Sequence, residues 1–114
     1  MCRLRLQLWL RWLKLVDDGD YGKSFDEMAA LYRGAVRKAD WEKTMDLYGK
    51  GFGKAVLRKV ESKRRTRYLP TGPAGEYVII EFESSFEYKS KAAETVMLMR
   101  DRDGVWRVTD YFIK

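Results

Sequence analysis

Apolar side chains recur every three to four positions through the first half of the chain and every second position through the second half. The change falls at Gly49, Gly51 and Gly53. A period near 3.6 places side chains on one face of a helix, and a period of two places them on one face of a strand, so the order predicted is helices first and strands afterwards. Over residues 3–16, Arg3, Gln7, Arg11 and Lys14 make one polar stripe. Leu6, Trp9, Leu10, Trp12, Leu13 and Val16 fill the broad remainder, and Asp17-Asp18-Gly19 ends the helix. Leu4, Leu6, Leu8 and Leu10 also alternate as a strand would, but the alternation is lost after Trp9. A second helix is expected from the capping box Ser24-Phe25-Asp26-Glu27, followed by Met28, Ala29, Tyr32 and Val36 at helical spacing. A third opens near Asp40, carries Trp41, Met45 and Tyr48 on one face, and stops at the glycines, which supply positive φ at helix ends.

Beyond Lys54 four strands are expected. Ala55 to Leu69 is long and polar. Tyr77 to Phe86 is the clearest, with Val78, Ile80, Phe82 and Phe86 on one face and Ser84 among them. Glu94 to Arg100 and Val105 to Ile113 follow, around the hairpin pair Asp103-Gly104. Pro70 to Gly75 and Lys89-Ser90-Lys91 read as turns. Consecutive strands with short connections pair antiparallel, and helices grouped before a sheet cover one of its faces. The fold class expected is therefore α+β, with three N-terminal helices packed on a curved four-stranded antiparallel sheet.

The length, 114 residues, allows one domain, with residues 1–50 its helical part and 54–114 its sheet. An apolar content of 46% and an aromatic content of 14% support one real core. The chain has no histidine and a single cysteine, Cys2, which excludes a disulfide scaffold, a Cys/His zinc site and any histidine-dependent triad. No catalytic set, metal site or cofactor is expected. No apolar run reaches the length of a membrane span. The first residues lack the unbroken apolar stretch and small-residue cleavage site of a secretory signal. The net charge is +6, and Lys54 to Leu69 alone holds seven basic residues against Glu61. Such a run meets a phosphate backbone or, more often, is a solvated face.

The stretch Trp12 to Tyr21, with Ser24 shortly after, resembles the opening of a bacterial family of unknown function, family 4019 in the domain-of-unknown-function series. Trp41, Gly53-Lys54 with Arg58, Leu69-Pro70, Gly75-Glu76-Tyr77, Phe82, Phe86, Glu94-Thr95-Val96 and Gly104 to Val108 continue the resemblance over about residues 9–114. Residues 1–8 do not match that family's leader, and Phe25 stands where it tends to have Trp. Members are small, often carry an export signal and have no assigned activity. The resemblance thus implies a periplasmic or exported protein, with the cytoplasm as the alternative. The helix-then-sheet order is also similar to nuclear transport factor 2-like cones, a likeness of fold that fixes no function.

A cone of sheet over helices leaves a pocket, and pockets are the default ligand sites. Tyr32, Trp41, Tyr48, Arg58, Glu94 and Tyr111 are the candidates to line it, with Arg58 beside Glu94 to clamp a small polar ligand or to form a structural ion pair. An acid–base enzyme would use Glu94 with Tyr32 or Tyr48. Lys63 to Tyr68 offers charges and a stacking ring to nucleic acid, but alternation sends the charges to both faces of the strand. Leu6, Trp9, Trp12 and Leu13 give the first helix more apolar surface than one contact needs, which suggests a homodimer or a protein partner. The reading that results is a small non-enzymatic binding or protein-interaction module. The alternatives are a small-molecule pocket protein or acid–base enzyme, and a nucleic-acid binder acting through residues 54–69.

Overall fold

A computed structural model of the chain describes residues 8–69 and 72–114. The elements run α1 (Leu8–Asp17), α2 (Tyr21–Asp26), α3 (Ala30–Ala35), α4 (Lys38–Phe52), β1 (Ala55–Thr66), β2 (Tyr77–Phe86), β3 (Lys89–Arg100) and β4 (Trp106–Ile113). The strands form one antiparallel sheet in sequence order, a meander, as short connections require. The fold is α+β, with four helices among the described residues in place of the three expected. Residues 3–7 of the first helix expected over 3–16, and the turn residues Pro70 and Thr71, lie outside the described residues.

The extra helix arises at Ser24. Its hydroxyl does not cap a helix start; it lies inside α2 and donates to the Tyr21 carbonyl at 2.7 Å. The same oxygen accepts the Trp41 indole N–H at 3.0 Å, and the Ser24 carbonyl accepts that of Trp12 at 3.0 Å. One fully buried serine thereby holds two indoles from α1 and α4. Glu27 follows the helix as its C-cap. A local capping pattern competes here with two tryptophans that must satisfy their N–H groups in the core, and burial decides. Likewise α4 starts at Lys38 rather than at Asp40. It runs through Gly49 and Gly51 to end before Gly53, whose φ is +76°. Gly53 is also sterically required: a Cβ there would lie 2.6 Å from Glu87 Cβ. The backbone around it is bonded to the β2–β3 turn, Tyr88 N–H to the Phe52 carbonyl and Glu87 N–H to the Lys54 carbonyl, both at 2.9 Å.

The core lies between the helices and one face of the sheet. Met28, Met45, Ile80, Val96, Leu98 and Val108 are essentially inaccessible. Each contributes roughly 1.5–3 kcal/mol by leaving water. Trp9, Trp12 and Leu13 belong to this core, at 5%, 3% and 1% exposure. Their apolar surface is thus covered within the chain and is not an available interface; Leu6 lies outside the described residues. Helix packing is concentrated on β4.

Candidate functional site

Strand β2 presents Val78, Ile80, Phe82, Ser84 and Phe86 to the core, and cross-strand partners share a face. The partners on β1 are Arg65, Lys63, Val60, Arg58 and Ala55. On β3, Glu94 lies opposite Phe82 and Ile113. Two charged residues thus project toward the helices from adjacent parts of the sheet, and they meet. Arg58 Nε donates to Glu94 Oε1 at 2.6 Å and Nη2 to Oε2 at 3.0 Å. The other side of the guanidinium donates to Asp17 at the end of α1, Nη1 to Oδ2 at 2.6 Å and Nη2 to Oδ1 at 2.8 Å. Ser84 Oγ donates to Glu94 Oε1 at 2.6 Å, and the Tyr111 hydroxyl donates to Oε2.

Glu94 is completely buried, Arg58 16% exposed and Asp17 35% exposed. A carboxylate offers about four acceptor positions, and Glu94 receives four donors. Burial alone would lower the Arg58 pKa, but the hydrogen bonds to Asp17 and Glu94 outweigh it and raise the pKa, so the guanidinium stays charged. Burial pushes the Tyr111 phenol up, and the adjacent Glu94 carboxylate adds to the shift. Tyr111 therefore remains a hydrogen-bond donor at neutral pH. Charge-assisted, bidentate bonds of this kind are the strong class.

Beside the network lies an open cleft of about 500 Å³. Asp17, Arg58, Tyr48, Tyr111, Phe52 and Lys54 are among the residues lining it. Tyr48 stacks edge-on against Phe52 at 5.9 Å and Tyr111 at 6.4 Å, giving the cleft an aromatic wall. Of the six residues expected around a pocket, the structure brings Tyr48, Arg58 and Tyr111 to the cleft, with Glu94 behind the latter two. Trp41 and Tyr32 lie elsewhere. Trp41 is buried on Ser24, and Tyr32 packs edge-on against Trp41 at 5.6 Å. Burial raises the Tyr32 phenol, with Asp110 next in effect. The phenol that reaches Glu94 is Tyr111, in place of the expected Tyr32 or Tyr48.

Asp17 and Ser84 were not legible as site residues. Asp17 reads as a helix terminator and Ser84 as a gap in an apolar strand face. The signal for Ser84 was its position: a hydroxyl between Phe82 and Phe86 on the buried face needs a partner there.

The basic strand divides by face. Inward, Arg58 is held by carboxylates. Lys63 lies over the Trp9 ring at 4.6 Å, and Arg65 lies over the Trp106 ring at 5.8 Å and pairs with Glu76 at 3.6 Å. Outward, Lys59 stands opposite Glu83, and Ser62 opposite Glu81. Among the described residues Arg58 and Arg65 form ion pairs with carboxylates, and Lys54, Lys59, Lys63, Arg64 and Arg67 do not.

Among the described residues no group of three or more His, Cys, Asp or Glu is placed to hold a metal ion. No helix there is long and apolar enough to cross a membrane. No curated protein matches the chain. The model of one family, described as Protein of unknown function (DUF4019), matches residues 10–111, a span that takes in Asp17, Arg58, Ser84, Glu94 and Tyr111. With nearly the whole chain inside that match, the protein belongs to the DUF4019 family.

Proposed function

We propose that the protein is a small non-enzymatic binding or protein-interaction module. The observation that carries this reading is the saturation of Glu94. A general base needs a free lone pair aimed at substrate, and all four acceptor positions of this carboxylate face Arg58, Ser84 and Tyr111. The guanidinium is committed in the same way, with only one of its five N–H groups outside the bonds to Glu94 and Asp17. The network reads as a strap that ties α1, β1, β3 and β4 into one rigid wall for the cleft. That wall suits binding, because rigid positioning lowers the ordering cost of a ligand.

The likeness to nuclear transport factor 2-like cones belongs to this proposal. Its support is curvature: Arg65 of one edge strand reaches Trp106 of the other across the concave face. The homodimer expected from the first helix loses its motive, since Trp9, Trp12 and Leu13 are core residues. A protein partner remains within the proposal, through a different surface.

The test is a titration of isotope-labelled protein with a library of small carboxylates, amides and phenols. Saturable shifts at Tyr48, Lys54 and Tyr111, with every compound recovered unchanged, are the expected result. Turnover of any compound that disappears in Glu94→Gln would overturn the non-enzymatic reading.

A further inference from the structure

Among the described residues strand β1 presents one whole edge and nine of its twelve residues to solvent. Of its twelve residues, only Ala55, Arg58 and Thr66 are even partly buried, and Val56, Leu57 and Val60 are 69%, 64% and 43% exposed. It ends the sheet, and among the described residues no backbone group outside β2 pairs with the span Ala55–Thr66. Beyond the irregularity at Glu61 the ladder is unbroken from Ser62 to Thr66 opposite Glu81 to Tyr77. A row of backbone donors and acceptors facing water, on a strand fixed on its other side, is a template for one more strand.

We propose that β1 is a docking edge for an extended acidic segment of a protein partner, which adds as a fifth, outer strand along Ser62–Thr66. The choice of occupant follows from charge. Between Lys54 and Leu69 the chain carries seven basic residues and one acid. A second copy pairing antiparallel along Ser62–Thr66 would set Lys63 opposite Arg65 and Arg64 opposite its own copy, so like charges would face each other. The basic residues that exclude a second copy attract an acidic strand. Nucleic acid fits less well. It would lie on a face of the sheet, where Glu81 and Glu83 of β2 flank the basic strand, and inward cations are held by Glu94, Trp9 and Trp106. Main-chain pairing at the edge supplies affinity.

This inference rests on the reading of the chain as an interaction module and names the partner class. Its test is separable from the cleft titration, because the signals fall on β1 rather than on Tyr48 and Tyr111. The probe is a blocked peptide of alternating Glu and Val, added to the intact chain while amide exchange is followed residue by residue. Exchange within Ser62–Thr66 should slow by about tenfold or more at saturation. The effect should weaken as salt rises. The same peptide with alternate backbone nitrogens methylated keeps its charge and loses the ladder, and it should not bind. A Lys and Val peptide should not bind either. The double variant Lys59→Glu with Arg64→Glu alters only exposed side chains and should weaken binding by about tenfold, with exchange in β4 unchanged as the folding control. Unchanged exchange along β1 would overturn the proposal. So would equal binding by the methylated peptide, which would reduce the effect to charge alone, or oligothymidylate binding to β1 in place of the peptide.

Discussion

Strands β1 and β4 are both edges of the same sheet, and the chain treats them in opposite ways. At β4 the Ala29 N–H, just before α3, donates to the Val108 carbonyl at 2.8 Å, and the Ala30 N–H bonds the Asp101 carboxylate at 3.2 Å. Trp106, Val108 and Tyr111 are buried beneath α1 and α3. At β1 the inward positions beyond Arg58 are Val60, Lys63 and Arg65, all exposed, with the two cations reaching over the Trp9 and Trp106 rings. Among the described residues β1 is tied to α1 by Arg58 with Asp17 and by Lys63 over the Trp9 ring. One edge is closed by hydrophobic cover and backbone bonds, the other only by charge. A sheet needs protection from edge-to-edge association, and Lys and Arg side chains provide it without burying the edge. The covered edge carries stability, and the charged edge stays exposed.

Truncation should expose this difference most plainly. Trp106→Ala is expected to destabilise the protein by about 3–5 kcal/mol in urea unfolding, while Val56→Ala, on the open edge, should change stability by less than about 0.5 kcal/mol. Equal losses would end the contrast between the edges.

Removing the centre of the strap should cost nearly as much. Glu94→Ala leaves Arg58 with one carboxylate fewer and the Ser84 and Tyr111 hydroxyls without their acceptor, all in a mostly dry site. A loss of about 3–5 kcal/mol is expected, as for a buried pair broken on one side. Asp17→Asn, at the more exposed end, should cost about 1 kcal/mol. It should also raise amide exchange in β1 before β4, and a uniform rise would show that Arg58 does not tie the open edge.

The smallest effect lies at the β3–β4 turn. Arg107 bonds both oxygens of Asp103 and holds its pKa at about 2, below the ordinary 3.8. A depressed carboxylate pKa stabilises the fold above the unfolded value and loses that contribution as pH falls through the folded one. The turn should therefore loosen only between about pH 4 and 2. Nuclear magnetic resonance titration of Asp103 should give a midpoint near 2 that returns toward 3.8 in Arg107→Gln. An unmoved midpoint would remove Arg107 as the cause.

The chain's rhythm was enough to predict much of this fold. Tyr77–Phe86 is the strand its alternation predicts, and the meander follows from short connections between four β-period segments. Three strand ends moved: β1 stops at Thr66, β4 begins at Trp106 rather than Val105, and β3 begins at Lys89, where Glu87 and Tyr88 make the turn in place of Lys89 to Lys91. The helices were less legible. Ser24 carries the local signature of a helix start, yet the helix it belongs to begins at Tyr21.

The pairing of Arg58 with Glu94 was readable as a possibility from their types and strands, and Tyr111 as a nearby aromatic. Asp17 and Ser84 were not, because their roles depend on where α1 ends relative to the sheet. Periodicity and short-range turn chemistry fix which segments are helix and strand, since those depend on neighbours along the chain. Tertiary packing alone decided that Ser24 would hold two indoles, that Glu94 would be enclosed by four donors, and that β1 would remain uncovered. Those outcomes depend on which buried polar groups find partners once distant segments meet.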